Sequence, residues 1–141
     1  MGGLKKKILT NPYLTINSLL AGFILLIFLY SAIFSPEKNN YPIHSSYKII
    51  TGNDSMSTGL SRGFSSIIRF RFEEALRYNP FSIRIFMFFL IQLLLRIFFI
   101  SYLRRSIYED IRFIVIPDIV ISIVLFVVFF EPFWREMFSN R

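Results

Sequence analysis

The chain has 141 residues, 54% of them hydrophobic and 18 of them phenylalanine, with a formal charge of +7 at pH 7 and no cysteine. One soluble domain of that size cannot hide so much apolar surface, whereas lipid can cover it. Disulfides, thiolate metal sites and thiol catalysis are excluded, and the basic residues flank apolar blocks, so their expected partners are lipid headgroups and not nucleic acid.

Lys5–Lys7 precede an uncharged apolar run from about Tyr13 to Phe34. About 20 residues cross the hydrocarbon core, so this run is predicted to be the first transmembrane helix. It is too long for a cleaved leader, and Ser35-Pro36-Glu37 is not a small-x-small cleavage site. Ser18 and Gly22 form a small-x-x-x-small pair that permits close helix contact. From Ser35 to Ser57 the chain is polar and turn-rich, with a short extended piece expected at Tyr47–Ile50. Ser57 or Thr58 then caps a predicted helix over about Gly59–Arg77. Leu60, Phe64, Ile67, Ile68, Ala75 and Leu76 follow helical spacing, while Arg62, Ser66, Arg69 and Glu73 take another face. Such a helix lies in the membrane interface, against lipid or the other helices. Phe70 and Phe72 fall outside its stripe, which marks Phe70-Arg71 as the place for a break.

Asn79-Pro80 leads into the second span, about Phe81–Tyr102, and the third runs from about Phe113 to Phe133 with Pro117 in its first turns. The short connection from Leu103 to Arg112 makes these two helices an antiparallel hairpin. The expected fold is therefore an all-α membrane protein, a single membrane domain over residues 1–141. It has three transmembrane helices plus one interfacial amphipathic helix in the long first loop, residues 35–78. Lys5–Lys7, Arg104, Arg105 and Arg112 in short flanks favour a cytoplasmic N-terminus and an outer C-terminus carrying only Arg135 and Arg141. Six basic residues spread through the long first loop weaken that bias without reversing it.

Gly59-Leu60-Ser61-Arg62 and, further on, Ala75-Leu76-Arg77-Tyr78-Asn79-Pro80 carry a likeness to a known pattern. The stretch over roughly residues 45–100 resembles the bacterial inner-membrane family catalogued as domain of unknown function 2752. That family reads as two cysteines three apart, then Gly-Leu-Thr-Arg, an apolar helix, and Ala-Leu-x-x-Asn-Pro before a membrane helix. Gly59, Leu60, Arg62, Ala75, Leu76, Asn79 and Pro80 match, with Ser61 in place of threonine. Ser55 and Thr58 stand where cysteines are expected, so no cysteine chemistry carries over, and Phe70 replaces a usual glycine. The resemblance implies a bacterial cytoplasmic-membrane location and no reaction.

No catalytic centre, cofactor site or metal site is marked. Asp118 is the most suggestive residue, because an ionisable group inside a membrane helix is a functional candidate. Arg96 lies about six residues before the end of the second helix and Asp118 about five into the third, so both sit roughly 8 Å below one interface. An ion pair follows, with Gln92 one turn deeper positioned to hydrogen-bond it. The pair reads either as a proton or ion relay or as a fastening that fixes register. The second is preferred, because a relay needs a chain of titratable groups, and only Arg84 and Glu131 appear in the outer halves. Arg62 fits a lipid phosphate or a partner carboxylate, or else contacts with Glu73, Glu74 or backbone carbonyls closing the loop. Asn79 is expected to end one helix and cap the next, with Pro80 turning the chain into the bilayer. His44, the single histidine, is expected to be a surface residue.

Three small helices offer little interior but much apolar and aromatic surface. The expected function is a non-enzymatic small subunit or accessory protein of a larger bacterial membrane complex, in contact with lipid and a membrane-protein partner. The alternatives are a homo-oligomeric transporter or channel component lined by Gln92, Arg96 and Asp118, and an interfacial lipid-headgroup enzyme using Arg62, Arg69 and Glu73.

Overall fold

A computed structural model describes residues 11–35, 57–105 and 112–139. The order is α1 (Pro12–Ile33), α2 (Leu60–Ile68), α3 (Phe72–Tyr78), α4 (Ser82–Arg105), α5 (Arg112–Phe129) and α6 (Glu131–Ser139). The described residues are helical with short turns, and α1, α4 and α5 are long and apolar enough to cross a membrane. The extended piece expected at Tyr47–Ile50, and His44, lie outside the described residues.

Local chemistry explains the starts. Asn11 stands just before α1 and its side-chain oxygen accepts from the amides of Tyr13 (3.1 Å) and Leu14 (3.4 Å), with Pro12 as first helical residue. Ahead of α4, Pro80 and Phe81 form a turn, and the Asn79 oxygen accepts from the Phe81 amide at 2.8 Å.

Three boundaries depart from the sequence reading. The second span continues past Tyr102 to Arg105, into the expected connection. The third span stops at Phe129 instead of Phe133, because Pro132 has no N–H to continue the ladder. The chain turns at Phe130, whose carbonyl accepts from Phe133 and Trp134 at 3.0 and 3.2 Å, and α6 begins. The interfacial element is two helices and not one. It starts at Gly59 without a side-chain cap, so neither Ser57 nor Thr58 serves as expected. Gly59 has φ +84°, and a Cβ there would overlap the Tyr78 carbonyl.

α2 then ends in a Schellman closure. The Phe70 amide donates to Ile67 and the Arg71 amide to Ser66, each at 2.9 Å, and Phe70 holds φ +60°. Glycine is usual at that position, and a side chain there costs about 1–2 kcal/mol. The helix breaks because its last carbonyls are closed by this turn, and Ala75 turns inward on α3, fully buried.

The chain forms two compact units, Met1–Leu25 with Phe88–Phe129 and Leu26–Met87 with Phe130–Arg141. In the first, Leu14, Phe99, Leu103 and Ile114 make the apolar core, with Tyr13, Leu95 and Ile100 packed on it. Phe88 meets Phe126 and Phe129, each with ring centroids 6.2 Å apart, so α4 and α5 run antiparallel there.

In the second, Phe64 of α2 packs edge-on to Phe86 at 5.4 Å, and Phe28 of α1 meets the same ring at 4.9 Å. α6 is held by Phe81–Phe133 at 5.6 Å and by an Arg84–Glu131 ion pair at 3.5 Å. A Cβ at Gly63 would overlap the Ser82 side chain, so α2 and the start of α4 approach closely at this glycine. The Ser82 and Ser66 hydroxyls are buried with no hydrogen-bond partner. Replacing Ser82 by alanine is therefore expected to leave stability unchanged or raise it by about 1 kcal/mol. Thermal unfolding in mild detergent measures this.

Candidate functional site

Three polar pairs at i, i+4 spacing put two polar side chains on one face of each spanning helix: Tyr13 and Asn17 on α1, Gln92 and Arg96 on α4, Asp118 and Ser122 on α5. They converge in one layer of the first unit. One terminal nitrogen of Arg96 donates to Asp118 at 2.5 Å and to Asn17 at 2.7 Å. The other donates to Gln92 at 2.9 Å and to Ser122 at 2.5 Å. The Tyr13 hydroxyl donates to Asp118 at 2.7 Å. The Ser122 hydroxyl has one proton for two longer contacts, Asp118 at 3.4 Å or Gln92 at 3.5 Å. The Asn17 amide donates back to the Tyr13 carbonyl at 3.0 Å, which fixes the oxygen toward Arg96.

The electrostatics follow from burial. Asn17, Gln92, Arg96 and Asp118 are 1%, 7%, 6% and 2% exposed, so the charges of Arg96 and Asp118 cancel in a low-dielectric layer. Both terminal nitrogens of Arg96 are committed twice, and the acceptors around it come from all three spanning helices. The layer can fix the rotation and register of those helices against one another. It presents no unpaired charge to a ligand.

Of the six residues singled out from sequence, Gln92, Arg96 and Asp118 are brought together here, and Arg62, Asn79 and Pro80 belong to the second unit. Arg62 lies over the Tyr78 ring, 5.9 Å from its centre. Asn79 is buried, donates to the Thr58 carbonyl at 2.8 Å, and receives the Phe81 amide, so it ties both ends of the α2–α3 hairpin to the start of α4. Pro80 is exposed in the turn. Sequence reasoning missed Tyr13, Asn17 and Ser122: the i, i+4 spacing marks each pair as one helix face, but not that the three faces meet.

It also missed what Arg69 does. One nitrogen of Arg69 donates to the Ser31 carbonyl at 3.3 Å, the Ser65 carbonyl at 2.9 Å and the Ser65 hydroxyl at 2.5 Å. The other donates to the Ala32 carbonyl at 2.8 Å, and the Ser65 hydroxyl donates to the Phe34 carbonyl. The last carbonyls of α1, which have no partner within the helix, are thus capped by a cation from α2. Arg69→Ala is expected to lower stability by about 2 kcal/mol, since hydrogen bonds to a charged group are among the stronger ones. The check is the unfolding midpoint in detergent, with Arg69→Lys expected to fall between.

Among the described residues no three His, Asp or Glu side chains gather as a metal site requires. Comparison with family models, with curated proteins and with solved structures gave no match. The geometry therefore carries the functional reading alone.

Proposed function

We propose that the chain is a small, non-enzymatic integral membrane subunit that works by contact with a larger membrane-protein partner, in a bacterial cytoplasmic membrane. The observation that carries this reading is the closed state of the polar layer. Arg96 and Asp118, the ionisable groups deep in the spans, are satisfied within the chain, while apolar side chains point outward in rows. On α1, Ile16, Leu19, Phe23, Leu26 and Ile33 are exposed, and on α5 Ile116, Val120, Ile123 and Val127. A Cβ at Gly22 would meet nothing within 4 Å, so the small-residue face of α1 stands open to another helix.

The burial of Gln92, Arg96 and Asp118 inside one chain weighs against a homo-oligomeric pore lined by them. Arg69 is engaged with α1 carbonyls and Arg62 with Tyr78, which weighs against an interfacial catalytic set. Lys5–Lys7, Arg104, Arg105 and Arg112 support a cytoplasmic N-terminus.

Purification in mild detergent with native mass measurement tests the reading. A stoichiometric larger membrane protein is the expected companion, and a discrete homo-oligomer or a partnerless monomer overturns it. A reporter fused after Arg141 is expected to read as outside the cytoplasm.

A further inference from the structure

The turn between α2 and α3 presents Phe70, 83% exposed, and Phe72, 48% exposed, with their rings edge to face at 6.4 Å. Phe70 occupies the left-handed position of the Schellman closure, where a side chain gains nothing from the turn itself. An aromatic held there at a conformational cost and left uncovered points to something outside the chain that covers it.

Three observations say what that is. First, the level of the turn is tied to the end of a span: Arg69, next to Phe70, binds the Ser31 and Ala32 carbonyls in the last turn of α1. Phe70 therefore begins within one residue of the place where an apolar helix leaves the hydrocarbon, the level at which aromatic rings collect in membrane proteins. Ile33, the last residue of α1, is itself 74% exposed there. Second, α3 divides its exposed surface. Phe72 and Leu76, four residues apart, form an apolar strip continuous with Phe70, and Glu73 and Arg77 form a charged strip beside it. Third, the charges there are of both signs, two basic and two acidic. Arg71 pairs with Glu74 at 3.5 Å, and with Glu73 and Arg77 they line an open cleft of about 560 Å³ bordered by the two rings. A band of mixed sign behind an apolar edge matches phospholipid headgroups, with phosphate for the guanidinium groups and ammonium for the carboxylates.

We propose that Phe70, Phe72 and Leu76 are inserted into the lipid interface where α1 ends, with Arg71, Glu73, Glu74 and Arg77 among the headgroups. The hairpin tip is then an anchor that holds α2 and α3 flat on the bilayer. This does not depend on the partner reading, since it concerns lipid and a separate face.

The test uses the full chain in vesicles of phosphatidylethanolamine and phosphatidylglycerol. Trp134, the single tryptophan, is replaced by phenylalanine, and Phe70→Trp or Phe72→Trp supplies the probe. Position 72 is helical, so it serves where tryptophan at the strained position 70 fails to fold. Blue-shifted emission, quenched most by lipids brominated near the headgroup end of the acyl chain and little by acrylamide, is the expected result. In the Phe72→Trp protein, adding Phe70→Gly is expected to weaken bromolipid quenching while the helical signal stays intact. Water-like emission quenched by acrylamide alone overturns the proposal, as does a probe insensitive to both quenchers, which would place the tip against protein.

Discussion

Arg96→Ala is expected to destabilise the protein by about 3–5 kcal/mol, because it strands Asp118 as an unpaired charge in a buried layer. The same change removes the donor shared by Asn17, Gln92 and Ser122, whose oxygens lose their common partner. Asp118→Leu alone is expected to be as damaging from the opposite side, leaving the guanidinium without its counter-charge. The double change Arg96→Leu with Asp118→Leu is expected to recover much of the loss, since a buried ion pair replaced as a pair by apolar groups is often neutral. Arg96→Lys keeps the charge but cannot fork to two helices at once and is expected to fall between. Thermal unfolding in mild detergent across this set measures it, and additive single losses in the double variant would sink the account.

Gly59→Ala is the second large effect, with an expected loss of about 2–4 kcal/mol. Two causes add: φ +84° costs a side chain roughly 1–2 kcal/mol, and its Cβ would overlap the Tyr78 backbone carbonyl, which no rotamer change relieves. The damage should be local. Gly59 seals the end of the hairpin where Asn79 reaches the Thr58 carbonyl and Arg62 covers Tyr78, so α2 and α3 are expected to open while the Arg96–Asp118 layer persists. Proteolysis within residues 57–80 should rise, with the helical content of the spanning segments kept. By contrast, Phe70→Gly at the other end of the hairpin should raise stability modestly, because glycine suits that left-handed residue.

The two glycine-type positions show where reading one dimension succeeds and fails. A break at Phe70-Arg71 is foreseeable, because Phe70 and Phe72 leave the helical stripe. The cap at Gly59 is not, because Ser57 and Thr58 are better capping residues by type and only the approach of the Tyr78 carbonyl decides for glycine. The end of the third span at Phe129 was open to sequence reading through Pro132, whose missing N–H stops a ladder regardless of context.

Three spans, an amphipathic segment between the first two, and the place of Arg96 and Asp118 toward the joined ends of their helices are properties of the sequence alone. Length without charge sets the crossing, and distance from a helix end sets depth, and both are counted along the chain. Which side chains share a layer is different in kind. It depends on how each helix is rotated about its axis, and that rotation is set by packing between helices through Leu14, Phe99, Leu103 and Ile114. Only the tertiary structure therefore brings Tyr13, Asn17 and Ser122 to the Arg96–Asp118 pair, and only it turns Arg69 from one polar residue on an amphipathic helix into the cap on α1.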